Sequence, residues 1–138
     1  MNRVLLVEDN PDDLELARLA FARGTFTSAV DVARDGAEAL DYLLTPRAEP
    51  PQVVLLDIKL PLVDGIDVLR RVKAEPRTRH IPVVMLTSSA QDRDLHACYE
   101  LGANSYIVKP VDMEQFMAAV NNIGVYWLDL NLTDASSR

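Results

Sequence analysis

The sequence predicts an α/β domain: five strand–helix units wound into one parallel five-stranded sheet with helices on both faces, a doubly wound (βα)5 arrangement. Apolar, strand-like runs alternate five times with stretches whose apolar residues recur at helical spacing. Two of the runs, 53–56 and 83–86, are apolar without alternation, as strands covered by helices on both sides must be. A chain of 138 residues is long enough to bury one such core.

The elements follow in order. "RVLLVE" (3–8) is a β-rich strand, and "DLELARLAFAR" (13–23) has Leu14, Leu16 or Ala17, Ala20 and Phe21 at helical spacing. Asn10-Pro11 before it supplies a cap and a proline at the first helical position. "AVDVAR" (29–34) alternates as a strand, and "GAEALDYLL" (36–44) is helical, opened by the capping pair Asp35 and Glu38. "QVVLLD" (52–57) is the most buried strand candidate; Asp64 then caps a helix over "GIDVLRRVKA" (65–74). "IPVVMLT" (81–87) is a strand, "QDRDLHACYELG" (91–102) a helix stopped by glycine, and "SYIVK" (105–109) the last strand. Asp112 with Gln115 opens a final helix over "MEQFMAAVNNIGVYWL" (113–128).

Composition narrows the function. The net charge is −7, from 14 basic and 21 acidic residues, which disfavours direct nucleic-acid binding because that needs clustered Lys and Arg against phosphates. The one basic cluster, "RRVK" (70–73), reads as a solvated helix face. No apolar run is long enough to span a bilayer and the N-terminus lacks a signal peptide, so a cytoplasmic protein with no membrane role is expected. Cys98 is the only cysteine, which rules out an internal disulfide and a cysteine zinc site. Buried, it behaves as a small apolar residue. His80 and His96 are expected at the surface, and Asp12 and Asp13 as first-turn partners of the helix dipole.

In open parallel sheets, sites form outside the carboxyl ends of the strands. The first strand ends in Glu8 and Asp9, the third in Asp57, the fourth in Thr87 and the fifth in Lys109. Carboxylates brought together on one rim repel one another unless a cation is shared. Mg2+ suits such a place, being a hard ion that takes oxygen ligands from few carboxylates and keeps its waters. A metal, a carboxylate, a lysine and a hydroxyl together make the parts of a phosphoryl-transfer site. Asp57 would be the nucleophile, forming an aspartyl phosphate.

These residues stand in stretches that resemble the receiver domain of two-component response regulators: "VEDN" (7–10), "LLDIKLPLVDG" (55–65), "MLTSS" (85–89) and "GANSYIVKP" (102–110), in order. The resemblance covers about residues 3–124. It implies a flavodoxin-like receiver fold over 1–124, with 125–138 as an extension of the last helix and a tail. It implies a phosphoacceptor signalling protein, not an enzyme in the ordinary sense, with Mg2+-dependent self-phosphorylation and autodephosphorylation chemistry. Asp57 would accept the phosphoryl group from a sensor histidine kinase. Asp9 would bind Mg2+ directly, Glu8 through water, and Lys59 through its backbone carbonyl. Thr87 would bond the incoming group, Lys109 would pair with one of its oxygens, and Tyr106 would be the aromatic switch. Lys109-Pro110 would be a cis bond.

Two rivals lose on particular residues. A haloacid-type hydrolase needs a general acid two residues after its nucleophile, where this chain has Lys59. A flavodoxin-like cofactor binder needs a Gly/Ser/Thr-rich phosphate loop after the first strand, where this chain has "EDNPDD". A receiver that has lost its chemistry is discouraged by the intact acid, Thr and Lys set.

The chain ends soon after the expected last helix, so a stand-alone receiver is expected, acting by docking on a downstream protein or passing phosphate to a phosphotransfer partner. The C-terminal stretch continues in apolar and aromatic residues. The stretch either folds over its own domain or forms a homodimer interface, for which Phe116, Tyr126, Trp127 and Leu128 are the candidate anchors, since aromatic residues are enriched at interfaces. Such an extended helix, with the loop at 44–52, resembles the small response regulators that pair with phytochrome-type sensor kinases.

Overall fold

A computed structural model describes residues 3–23, 29–46 and 50–122. Five strands and five helices alternate: β1 (Arg3–Val7), α1 (Pro11–Arg23), β2 (Ala29–Ala33), α2 (Gly36–Leu44), β3 (Val53–Asp57), α3 (Gly65–Ala74), β4 (Val83–Thr87), α4 (Asp94–Glu100), β5 (Ser105–Val108) and α5 (Met113–Asn122). The strands form one sheet in the order β2-β1-β3-β4-β5, and every neighbouring pair is parallel. The expected fold is therefore the observed one.

The alternation of side chains across the sheet divides the core in two. One face carries Leu5, Val7, Val54, Leu56, Val83 and Met85 against residues of α2, α3 and α4. The other carries Val4, Leu6, Val53, Leu55, Val84 and Ile107 against α1 and α5. β3 and β4 are buried at every position, which is why their sequences show no polar alternation.

The helix starts use the expected chemistry. Asn10 Oδ1 accepts the backbone N–H of Asp12 (2.9 Å) and of Asp13 (3.0 Å). Asp35 accepts from Glu38 N at 2.7 Å; the returning Glu38 carboxylate bonds Arg34 N rather than that of the cap residue itself. Gln115 N donates to Asp112 Oδ1 at 2.8 Å. α4 is shorter than its sequence pattern: the chain makes a turn at 89–92 before helix geometry begins at Asp94, and Gly102 follows it with φ of 109°.

Two segments place the site. Gly65 N donates to Ile58 O (3.0 Å), folding the loop after β3 back onto its strand. A Cβ at Gly65 would lie 2.0 Å from Asp57 O, so only glycine allows this approach. The Lys109-Pro110 bond is cis, as expected.

The last helix corrects one expectation. Phe116 is completely buried in its own domain, its ring edge-on to Phe21 with centroids 5.2 Å apart and planes at 81°. It is a core residue and not an exposed interface anchor, because its stripe of α5 faces the sheet. Tyr126, Trp127 and Leu128 lie outside the described residues.

Candidate functional site

The strand order reverses direction at β1, which lies between β2 and β3, and the crevice outside the carboxyl ends of β1 and β3 is where ligands bind in such sheets. Val7 pairs with Leu56, Asp57 with Leu86, and Thr87 with Val108. This register sets Glu8 level with Asp57, with Thr87 one residue and Lys109 two residues further out on the same rim. Glu8 N extends the β1 ladder to Ala33 O (3.0 Å), and Lys109 N bonds Thr87 O (2.8 Å). Backbone pairing thus fixes both residues although they are 101 positions apart.

A cleft of about 250 Å3 opens here, with Asp9, Asp13, Asp57, Thr87, Asp92 and Lys109 among its lining. Oxygens of Glu8, Asp9 and Asp57 all lie within 4.8 Å of one another. Glu8 and Asp57 are buried and Asp9 is exposed. Lys109 Nζ donates to Asp57 Oδ2 (2.8 Å), Glu8 Oε1 (3.1 Å) and Asp13 Oδ2 (3.2 Å), using all three of its protons. Asp57 Oδ1 accepts Lys59 N at 3.1 Å. The Lys59 side chain turns away and pairs with Asp94 at 2.8 Å, so it leaves the acid cluster to Lys109.

The electrostatics follow from this crowding. Burial, and then the carboxyl group of Asp57, push Glu8 up to about 7, against the pull of Asn10 N and Lys109. Burial works against the Lys109 ammonium, but Asp57 and Glu8 outweigh it, and its pKa is raised. One lysine thus faces three carboxylates, two of them buried. The donor set is all hard oxygen, undercompensated by one cation and open to the cleft, and so fits a divalent ion such as Mg2+.

Of the residues expected at the reaction centre, Glu8, Asp9, Asp57 and Lys109 are brought together, and Thr87 and Lys59 line the same cleft. Tyr106 sits apart from them on β5 and is 36 % exposed. His80 and His96 are exposed and Cys98 is buried, its thiol pushed up to about 11 chiefly by burial. Two site residues were missed. Asp13 was expected to serve only the dipole of α1, yet it holds Lys109. Asp92 bonds the Thr87 hydroxyl at 3.2 Å. Asp13 is one residue past a dipole position already filled by Asp12, the only sequence signal available; Asp92 gave none.

Fold and site together define a signalling receiver, and comparison with known proteins agrees. Residues 4–121 match the model of the response regulator receiver domain, and the chain belongs to that family. It is 44 % identical over 131 residues to the probable methanogenesis regulatory protein FilR2 of Methanothrix harundinacea, covering 93 % of this chain and 84 % of that one. It is similar to the bacteriophytochrome response regulator AtBRR, at 51 % identity and a TM-score of 0.85 over 92 % of this chain and 95 % of that one. The phosphorylated cyanobacterial phytochrome response regulator RcpA is 37 % identical, with a TM-score of 0.74 over 92 % and 94 % of the two chains. A receiver domain of sensor histidine kinase PA1611 from Pseudomonas aeruginosa, 28 % identical with a TM-score of 0.75 over 90 % and 98 %, has a magnesium ion coordinated in its active-site cleft. Among the described residues, no helix is long and apolar enough to cross a membrane.

Proposed function

We propose that this protein is a single-domain response regulator whose Asp57 accepts a phosphoryl group from the phosphohistidine of a sensor histidine kinase. The observation that carries this reading is the convergence of Asp57 with Glu8 and Asp9 within 4.8 Å and with Lys109 Nζ at 2.8 Å. A carboxylate oxygen of Asp57 attacks phosphorus, the P–N bond to the imidazole breaks, and the freed imidazole nitrogen keeps the electron pair and takes a proton. The aspartyl phosphate is later hydrolysed, so the signal decays.

Glu8, Asp9, Asp57 and the Lys59 carbonyl would hold Mg2+, which when bound neutralises charge on the transferring group. Lys109 leaves its carboxylates in part to pair with a phosphoryl oxygen, and Thr87 donates its hydroxyl to another. The new group adds roughly −1.5 to −2 charge, by analogy with other phosphorylated side chains. Thr87 and Tyr106 then bias a pre-existing equilibrium of the α4–β5–α5 face, where a downstream protein or phosphotransfer partner docks. The receiver occupies 1–124. The extension at 125–138 pairs two copies through Tyr126, Trp127 and Leu128 in a cytoplasmic homodimer. Likeness to the bacteriophytochrome regulator and to phosphorylated RcpA favours a phytochrome-type kinase as donor.

The test is incubation with acetyl phosphate and Mg2+ followed by intact mass measurement. One phosphoryl adduct is expected, lost on chelation of the metal beforehand and in Asp57→Asn; an adduct that survives Asp57→Asn refutes the acceptor. Light scattering of the full chain against one ending at Asn122 tests the dimer, and an unchanged mass per chain rejects it.

A further inference from the structure

The Thr87 hydroxyl is already engaged. It lies 3.0 Å from Ser89 O and 3.2 Å from Asp92 Oδ2, and Ser89 N donates back to it at 3.3 Å. A hydroxyl has one proton to give, and a carboxylate is the stronger of its two acceptors. The other oxygen of Asp92, Oδ1, accepts Asp94 N at 2.9 Å, where α4 begins. Asp94 Oδ2 in turn accepts from Lys59 Nζ at 2.8 Å, and Lys59 N bonds Asp57 Oδ1 at 3.1 Å. Hydrogen bonds therefore run from Thr87 through Asp92 to the first turn of α4, and back across the mouth of the cleft to the strand end that carries Asp57.

We infer that Asp92 is a positioning residue that latches the Thr87 hydroxyl in its resting orientation and must release it when Asp57 is phosphorylated. The inference rests on the reading of Asp57 as acceptor given above. Asp92 opposes the phosphorylated state twice. It competes for the single proton that Thr87 would give to the phosphoryl group. Its carboxylate also lines the same cleft, where a group of roughly −1.5 to −2 charge would repel it. The same carboxylate accepts Asp94 N, so a movement of Asp92 on release is passed to the start of α4 through one side chain. The latch sets how much phosphodonor is needed to populate the active state.

The test separates a latch from a simple helix cap. Asp92→Ser keeps an oxygen able to accept from Asp94 N but is too short to reach Thr87. Its half-saturating acetyl phosphate concentration, with Mg2+, is expected to fall about tenfold, the low end of the loss of a hydrogen bond to a charged group. In a Thr87→Ala background the same substitution is expected to give a clearly smaller gain, because only the relief of charge repulsion in the cleft remains. The untreated protein gives an independent readout: side-chain three-bond NMR couplings of Thr87 are expected to report one rotamer in the wild type and an average in Asp92→Ser. Unchanged couplings, or an equal gain in the Thr87→Ala background, overturn the latch. If no variant takes up phosphate while the couplings change as stated, the latch stands and the acceptor assignment falls.

Discussion

Replacing Lys109 by methionine removes the only cation that touches the acid cluster among the described residues, and its cost should depend on pH in a way the structure specifies. At an effective dielectric constant of about 20, a contact of 2.8 Å such as Lys109–Asp57 is worth roughly 6 kcal/mol before desolvation. Burying the ammonium returns several kcal/mol of that, and removing one partner from a buried pair costs about 3–5 kcal/mol in practice. We expect about 3 kcal/mol at pH 8 in the absence of divalent ions. The loss should shrink at pH 5.5. Glu8 has a folded-state pKa raised from 4.5 to about 7, so the folded protein takes up this proton more readily than the unfolded chain. Ionising Glu8 therefore destabilises the fold progressively as pH rises from 4.5 towards 7, and Lys109 offsets part of that cost. Below the folded pKa the carboxyl is neutral and has less need of a cation. The raised pKa of Lys109 keeps its ammonium charged across this range, so the change in its worth comes from the titration of Glu8 and not from its own. Urea denaturation of wild type and Lys109→Met at the two pH values measures the difference. An equal loss at pH 5.5 and pH 8 would refute the claim that the lysine works by compensating an ionised, buried Glu8.

Mg2+ at ten times its dissociation constant should stabilise the wild type by about 1.4 kcal/mol, seen as a rise of about 4 °C in Tm, and its affinity should weaken as pH falls below 7 because Glu8 takes up a proton. Gly65→Ala should lose both stability, by more than about 2 kcal/mol, and acetyl phosphate labelling, since the new methyl meets Asp57 O at 2.0 Å and must displace the strand end; labelling at the wild-type rate would contradict this. Phe116→Ala should cost about 3–5 kcal/mol in urea denaturation and leave the light-scattering mass of the folded protein unchanged, as befits a residue with 0 % exposure. Leu62, 81 % exposed at φ of 66°, is strained, and Leu62→Asn should stabilise by about 0.5–1 kcal/mol.

What the sequence made legible was what is local or what repeats. β3 and β4 announced themselves because both their faces are covered, and the cap residues because a cap bonds only two or three positions ahead. Strand-end chemistry was legible too: a parallel sheet brings all its carboxyl ends to one rim, so Glu8, Asp57, Thr87 and Lys109 could be placed together before any distance was known. Phe116 shows where this stops. An apolar stripe on α5 is equally compatible with covering the sheet and with covering a second copy, and only packing against Phe21 decides between them.

Asp13 and Asp92 show a different limit with a functional consequence. Each lies in a stretch whose local chemistry is already accounted for, a helix first turn and a loop before a helix, so nothing in their neighbourhoods demanded a second role. Yet each grips one of the two groups that would have to hold the phosphoryl group: Asp13 on Lys109 at 3.2 Å, Asp92 on Thr87 at 3.2 Å. Five carboxylates therefore share the region with one lysine directed into it. A cluster built only to bind a metal would gain nothing from Asp92, which engages Thr87 rather than the ion-facing oxygens of Glu8, Asp9 and Asp57. A site occupied only transiently would gain from it, since a resting bond on Lys109 and one on Thr87 would be exchanged for bonds to the phosphoryl group and re-formed when that group leaves. If Asp57 is the acceptor, the excess of acid would raise the free energy of the phosphorylated state and add to the intrinsic drive of an acyl phosphate toward hydrolysis.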